Sequence, residues 1–396
     1  MFMHRIRLEN ILSFGPDAQE LELKPLNVLI GPNGSGKSNL IEAISLLRAA
    51  PRDVMAPIRE GGGGGNWIWR GEPKATEACV EVVAEGPLYP FNQQSLRYSI
   101  SLGPFLFGTV FLKEEIREDQ RPEHAEDSAQ RYLQRSGGVV VLSYIDESMK
   151  RSQRELPANE IKSDQSILSQ LKDPIQYPEL TGLGGRLEAI HLYREWSFGR
   201  NTPPRLPQKA DLPNLSLAED GRNLGMILNR LEGDPKAKSQ LLTALQRLYH
   251  GIDDYYVQVE AGSVQVFLKE GNLPVPATRL SDGTLRYLCL LAILCNPSLP
   301  PLVCLEEPEL GLHPDVLPGL ADLLREASER CQLIVTTHSD TLVDALTDTP
   351  ESIVVCEKES GQTRLKRLDK DDLSHWLEKY RLGELWTSGE LGGNRW

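Results

Sequence analysis

The sequence predicts an α/β protein. Three observations carry that prediction. Gly31-Pro32-Asn33-Gly34-Ser35-Gly36-Lys37-Ser38 fits the phosphate-loop pattern G-x-x-x-x-G-K-[ST]. It lies between a short apolar strand, residues 26–30, and a helix whose apolar positions Leu40, Ile41, Ile44 and Leu47 recur at helical spacing. Two more apolar strands follow far downstream, one ending in Glu306-Glu307 and one in His338.

The loop's composition matches its chemistry. Small residues let backbone N–H groups turn inward and meet a phosphate closely. The helix that starts near Gly36 adds the positive end of its dipole. Lys37 is placed to reach the β- and γ-phosphates, and the Ser38 hydroxyl to ligate Mg²⁺. Asn33, Gly34, Ser35, Gly36 and Asn39 complete the nucleotide-binding candidates.

The remaining elements follow in order. Residues 5–10 and 21–24 alternate apolar and polar, as half-exposed strands do, with a loop at 11–15 between them. The five glycines 61–65 read as a flexible loop, followed by Trp67, Trp69 and a strand at 78–83. Residues 98–102 and 108–112 read as paired strands. In 113–135 charge dominates, which predicts a solvated or disordered stretch, and 139–145 reads as a strand. Residues 146–180 are polar, with a helical signal around Ile167, Leu168 and Leu171. Residues 187–193 re-enter a core, and the proline-rich 201–213 is an extended loop. Helices are predicted over 220–231 and 235–249, and a hairpin over 255–259 and 263–269. No heptad run or internal repeat is present.

Composition bounds the rest. The chain has 396 residues, more than one ordinary domain. We divide it into an N-terminal lobe with the phosphate loop (1–112), an insertion (113–250) and a C-terminal lobe (251–396). The net charge of −13 argues against a uniformly DNA-coating protein and leaves room for a local basic groove. The six cysteines show no C-x-x-C spacing, so buried thiols in a reducing cytosol are expected. There is no signal-peptide block, and the longest apolar run, 287–295, is too short for a bilayer. A soluble, cytoplasmic protein is expected. The seven histidines include no pair at zinc-ligand spacing, and there is no G-x-S-x-G elbow. A second catalytic activity is not expected, so any cutting of nucleic acid falls to a partner.

Downstream of the loop come Leu280-Ser281-Asp282-Gly283-Thr284, then Leu302 to Pro308 with its two acids, then Glu309-Leu310-Gly311-Leu312-His313-Pro314, then Leu333 to Ser339 with His338. That order resembles the ABC-type ATPases, and within them the RecF/SMC-like branch that includes the OLD-like AAA-family proteins. The resemblance covers residues 1–50 and 270–345. It implies an ABC-type ATPase head with a mixed central sheet, an N-terminal antiparallel β subdomain and a mainly helical insertion. It implies ATP and Mg²⁺ as cofactors. Lys37 and Ser38 would hold phosphate and metal. Glu306, in place of the usual aspartate, would steady the magnesium shell. Glu307 would polarise the attacking water, and His338 would contact the γ-phosphate. Ser281 and Gly283 would reach the γ-phosphate held by a second subunit. A metal-sensing glutamine is implied, with Gln93 and Gln94 as candidates. Relatives often have an arginine where Leu12 stands, near the adenine.

The implied protein is a homodimer closed by ATP, a switch in DNA maintenance or anti-phage defence coupled to a separate effector of nuclease or toprim-like kind. A scaffold that binds ATP with little turnover is an alternative. A membrane-transporter ATPase subunit is another, opposed by the gap between Ser38 and Ser281, which exceeds half of the chain. In 186–209 the residues Arg186, Arg194, Arg200, Arg205 and Lys209, with Trp196 and Phe198, fit a surface tracking nucleic-acid phosphates or an ordinary solvated loop. At the C-terminal end, Trp386 and Trp396 belong either to a helix packed on the core with a frayed tail or to a segment that docks a partner.

Overall fold

The structure is a computed structural model that describes residues 1–87, 94–106, 109–119 and 129–393. It opens with β1 (Met3–Glu9), β2 (Glu20–Glu22) and β3 (Leu26–Ile30), then α1 (Lys37–Ala49) and α2 (Met55–Glu60). A run of strands follows: β4 (Ala78–Glu85), β5 (Ser95–Leu106), β6 (Thr109–Glu118), β7 (Arg131–Ser136), β8 (Val139–Ile145) and β9 (Arg151–Leu156). Next come α3 (Ile167–Gln170), α4 (Pro178–Glu188), β10 (His191–Tyr193), β11 (Gln208–Lys209), α5 (Leu224–Glu232) and α6 (Pro235–Leu248). The last third holds β12 (Asp254–Glu260), β13 (Ser263–Glu270), β14 (Leu273–Pro276), α7 (Asp282–Leu294), β15 (Leu302–Glu306), α8 (Leu317–Ser328), β16 (Gln332–Thr336) and α9 (Asp340–Asp344). It ends with β17 (Ile353–Glu359), β18 (Gln362–Arg367), α10 (Lys370–Leu377) and α11 (Leu382–Ser388).

The centre is a six-stranded mixed sheet, ordered β10-β15-β16-β3-β17-β18. All of its pairings are parallel except β17 with β18. Its inner strands β3, β15 and β16 are mostly apolar on both faces because both faces are covered. Alternate residues divide between two cores. Val28, Ile30, Val303, Leu305, Leu333, Val335 and Val355 pack toward α5–α8 and α11. Leu29, Leu302, Cys304, Ile334, Val354 and Cys356 pack toward α1, α4 and the N-terminal strands. Each such side chain contributes about 1.5–3 kcal/mol on burial. The cysteines are free thiols; five are buried and Cys79 is half-buried. Burial pushes the Cys304 and Cys356 thiols up, Cys356 to about 12.

The N-terminal sheet is antiparallel and eight-stranded, ordered β2-β1-β4-β5-β6-β7-β8-β9. It runs through the expected boundary at 112–113 and on to Leu156. Residues 113–118 and 131–135 are therefore in strands, where charge had suggested solvation. The reason is a buried polar centre. Glu114 is 2% exposed. Its carboxylate accepts from the Tyr98 hydroxyl (3.0 Å), the Ser166 hydroxyl (2.5 Å) and the Ile167 amide (2.8 Å), and lies 3.4 Å from the Arg135 guanidinium. Arg135 also caps the carbonyls of Lys162, Ser163 and Gln165. Replacing Glu114 by alanine strands a buried guanidinium, so we expect Glu114→Ala to lower unfolding free energy by about 3 kcal/mol, read from urea denaturation.

The predicted helices over 220–231 and 235–249 are α5 and α6, and the predicted hairpin is β12–β13. Asp234 caps α6 by accepting from the amides of Lys236 and Ala237, with Pro235 at its first position. The glycine run 61–65 forms turns closed by Gly63 N–H to the Ile58 carbonyl at 2.8 Å, over the buried Trp67. No helix among the described residues is long and apolar enough to cross a membrane.

Candidate functional site

The site forms where three parallel strands end. β3 leads into the phosphate loop, and Thr336 at the end of β16 pairs with Leu29 of β3 on one side and Glu306 of β15 on the other. Open α/β sheets bind ligands at this carboxyl edge.

The loop is held from behind. Gly31, Gly34 and Gly36 have φ of 144°, 75° and 106°. A Cβ on Gly31 would lie 2.2 Å from the Cys356 carbonyl, and one on Gly36 would lie 2.2 Å from the Thr363 hydroxyl. Thr363 donates to the Ser35 carbonyl (2.8 Å) and bonds the Ser13 hydroxyl (2.6 Å), so β18 and the 11–15 loop buttress the loop. Lys37, the first residue of α1, is 5% exposed. Its Nζ donates to the carbonyls of Gly31 (2.8 Å) and Pro32 (3.0 Å), curling the side chain over the loop. Burial holds the Lys37 ammonium below its usual pKa, with Glu307, Glu306 and Glu309 pulling the other way. Ser38, Asn33 and Gly34 are exposed and Asn39 is half-buried. The Ser35 hydroxyl is buried without a hydrogen-bond partner, an orphan that a bound anion can satisfy.

The acid edge is tightly set. Glu307 has φ of 46°, unusual for a residue other than glycine, and its N–H bonds the Thr336 carbonyl at 3.0 Å. That strain rests at the site and aims the side chain. His338 Nε2 lies 3.4 Å from the Glu307 carboxylate. Glu309, which the sequence left without a role, positions this histidine: its carboxylate accepts from the Thr337 hydroxyl (2.6 Å) and the His338 amide (2.8 Å). Burial raises the Glu309 pKa against those two bonds.

Ser281 caps the N-terminus of α7, accepting from the Thr284 amide at 3.1 Å, and it is exposed. Gly283 touches the 309–313 turn, since a Cβ there would meet the Gly311 carbonyl at 2.5 Å. Arg205 clamps the turn from inside. It is buried, donating to the carbonyls of Phe198 (3.0 Å) and Leu280 (2.5 Å) and to Asp282 (2.5 Å).

Several expectations change. Gln94 sits beside the β4–β5 turn, bonded to the Tyr132 hydroxyl and the Gly86 amide, and Gln93 lies outside the described residues. The residue placed beside Glu306 is Arg194, just past β10, with Nε 3.1 Å from the carboxylate and a second bond to Glu42. The segment 186–209 is tied inward. Arg186 bonds Glu85, Arg194 bonds Glu306, Arg205 is buried, and Trp196 and Phe198 lie under the Arg286 guanidinium at 5.7 and 5.3 Å. Arg200 and Lys209 are exposed, so only part of the segment belongs to the head's framework. Leu12 is half-buried with φ of 55°, its N–H on the Trp67 carbonyl. Trp386 is 2% exposed and its indole donates to the Gly393 carbonyl at 2.9 Å, so it is a core residue and not a docking anchor. Trp396 lies outside the described residues. Gly393 packs on the phosphate loop, its Cβ position 3.3 Å from the Gly31 Cα.

A magnesium ion fits this donor set. Ser38 and Glu306 offer hard oxygen ligands, and no cluster of three or more His, Cys, Asp or Glu residues among the described residues forms a self-sufficient metal cage. Mg²⁺ is characteristically held by one or two protein oxygens with substrate phosphates and water completing its shell.

Comparisons with known proteins agree with the geometry. The family described as "AAA domain, putative AbiEii toxin, Type IV TA system" matches residues 26–344. The Old nuclease of Escherichia phage P2 is 22% identical over 382 residues, covering 88% of this chain. The chain spans only 58% of that relative's length. The DNA replication and repair protein RecF of Rickettsia conorii is 50% identical over 50 residues, 12% of this chain and 13% of RecF. Among solved structures, the SmcHead bound to the C-winged helix domain of ScpA matches 94% of this chain and 99% of its own, with a TM-score of 0.59 at 14% identity. The Smc head domain from Pyrococcus furiosus, also bound to ScpA, matches 96% and 99% with a TM-score of 0.58 at 14% identity. At such identities the likeness shows the fold alone. The chain belongs to this AAA-domain family, in the RecF/SMC-like, OLD-like branch of the ABC-type ATPases.

Proposed function

We propose that this chain binds and hydrolyses ATP with Mg²⁺ in a site completed by a second copy of itself. The observation that carries the reading is the convergence of Lys37, Glu306, Glu307 and His338 at one sheet edge, while Ser281 stands exposed on a helix N-terminus. Lys37 binds the phosphates. Glu307 polarises the attacking water, and His338, positioned by Glu309, contacts the γ-phosphate. Ser38 and Glu306 would hold Mg²⁺, which would supply positive charge against the phosphates. Ser281 and Gly283 of one copy reach the γ-phosphate held by the other, so that closure follows ATP and release follows hydrolysis.

The switch acts in DNA maintenance or anti-phage defence together with a separate effector of nuclease or toprim-like kind. The similarity to Old nuclease and to the DNA replication and repair protein RecF supports the DNA-maintenance part of that setting. The measurement that tests the reading is steady ATP hydrolysis by the isolated chain, with mass by light scattering at rising ATP. Turnover with a shift from monomer to dimer is expected. ATP binding without turnover would favour an assembly scaffold instead.

A further inference from the structure

The side-chain pair that the proposed ATPase mechanism does not use is Arg194 with Glu42. β10 pairs parallel with β15, Tyr193 opposite Leu305, so the next residue on each strand, Arg194 and Glu306, stand side by side at the sheet edge. Arg194 Nε donates to the Glu306 carboxylate at 3.1 Å, and its NH1 group bonds the Glu42 carboxylate on α1. Glu42 and Glu306 are both mostly shielded, with side chains 19% and 17% exposed, and Arg194 is 31% exposed. A cleft of about 860 Å³ opens here, lined by Glu42, Arg48, Arg194 and Glu219, so water and ions reach the pair.

We propose that Arg194 is a built-in cation that competes with Mg²⁺ for Glu306 and sets the metal concentration at which the site assembles; this rests on the ATPase reading above. The argument is one of charge. Two carboxylates share one guanidinium. A divalent ion that takes Glu306 must displace the Nε bond, and Glu42 is the acid that keeps Arg194 in place when this happens. Glu42 thus decides how readily Arg194 yields. With Glu42 present, the arginine has a second partner to retire to. Without it, Arg194 commits its whole charge to Glu306. Arg194 is a positioning residue in this account, acting through Glu306.

The two ends of the pair give opposite signs, which makes the proposal testable. Binding of a fluorescent ATP analogue to the full chain is titrated with Mg²⁺ from chelator-buffered zero, and melting temperature is followed with Mg²⁺ alone. Arg194→Gln should lower the Mg²⁺ midpoint by about tenfold, the worth of one charge-assisted hydrogen bond. It should also give a larger Mg²⁺-induced rise in melting temperature. Glu42→Gln should raise the midpoint several-fold. Metal-free nucleotide binding should be unchanged in both. Equal midpoints in all three proteins would overturn the proposal, as would loss of metal-free nucleotide binding in Arg194→Gln, which would put the guanidinium on the phosphates. If Arg194→Gln does not fold, the sign of the Glu42→Gln shift decides alone. Absence of nucleotide binding in the unmodified chain would instead remove the ATPase reading itself.

Discussion

Lys37→Ala is expected to abolish nucleotide binding. The ammonium bonds the Gly31 and Pro32 carbonyls, which curls it over the loop where phosphates would sit. Charge-assisted bonds contribute about 1.5–3 kcal/mol each, so losing two weakens binding by a factor of about 100 or more. The truncation also frees two carbonyls at the loop, which slackens the cradle. Lys37 contributes to neither hydrophobic core, so stability should fall only by the cost of the freed carbonyls, about 1–3 kcal/mol. Isothermal titration with ATP and Mg²⁺ reads the first expectation, and thermal denaturation the second. Tight ATP binding by this variant would defeat the assignment of the loop.

Glu307→Gln is the second large effect. Glutamine keeps the length and the backbone bond to Thr336 but cannot accept a proton. General-base assistance is worth about 10²–10⁴ in rate, and that factor should vanish from single-turnover hydrolysis while ATP binding persists. On the proposed mechanism the amide also removes a negative charge from the γ-phosphate position, so the closed state should accumulate as a stable dimer by light scattering. A monomer at every ATP concentration would count heavily against a site shared between copies.

These two residues were legible because their signals are local. A strand, a glycine-rich turn and an amphipathic helix in direct succession specify the loop, and an apolar strand that ends in two acids specifies the edge. Arg194 was not legible. Its partners Glu306 and Glu42 stand 112 and 152 positions away, and only the three-residue strand before it fixes the register. The same distance effect hid Glu114. In sequence it belongs to a run of charge, yet Tyr98, Arg135 and Ser166 assemble around it in the fold. Charge density along the chain measures exposure only when the compensating charges are neighbours in sequence. Of the two candidate metal-sensing glutamines, Gln93 lies outside the described residues and Gln94 sits beside the β4–β5 turn. The strand that returns to the acid edge, β10, does so only after the helices α3 and α4.

Trp386 was misjudged in one of its two readings because a tryptophan near a chain's end resembles an anchor. Its indole instead secures the Gly393 carbonyl, and the Glu357 carboxylate secures the Gly393 amide at 2.5 Å. Both glycines of Gly392-Gly393 take positive φ, at 79° and 60°, so the chain can bend tightly over the nucleotide cradle. Residue 393 thereby packs against Gly31. A pull on Gly393 is taken up by Trp386 and Glu357, the latter on the strand β17 whose Cys356 carbonyl backs Gly31.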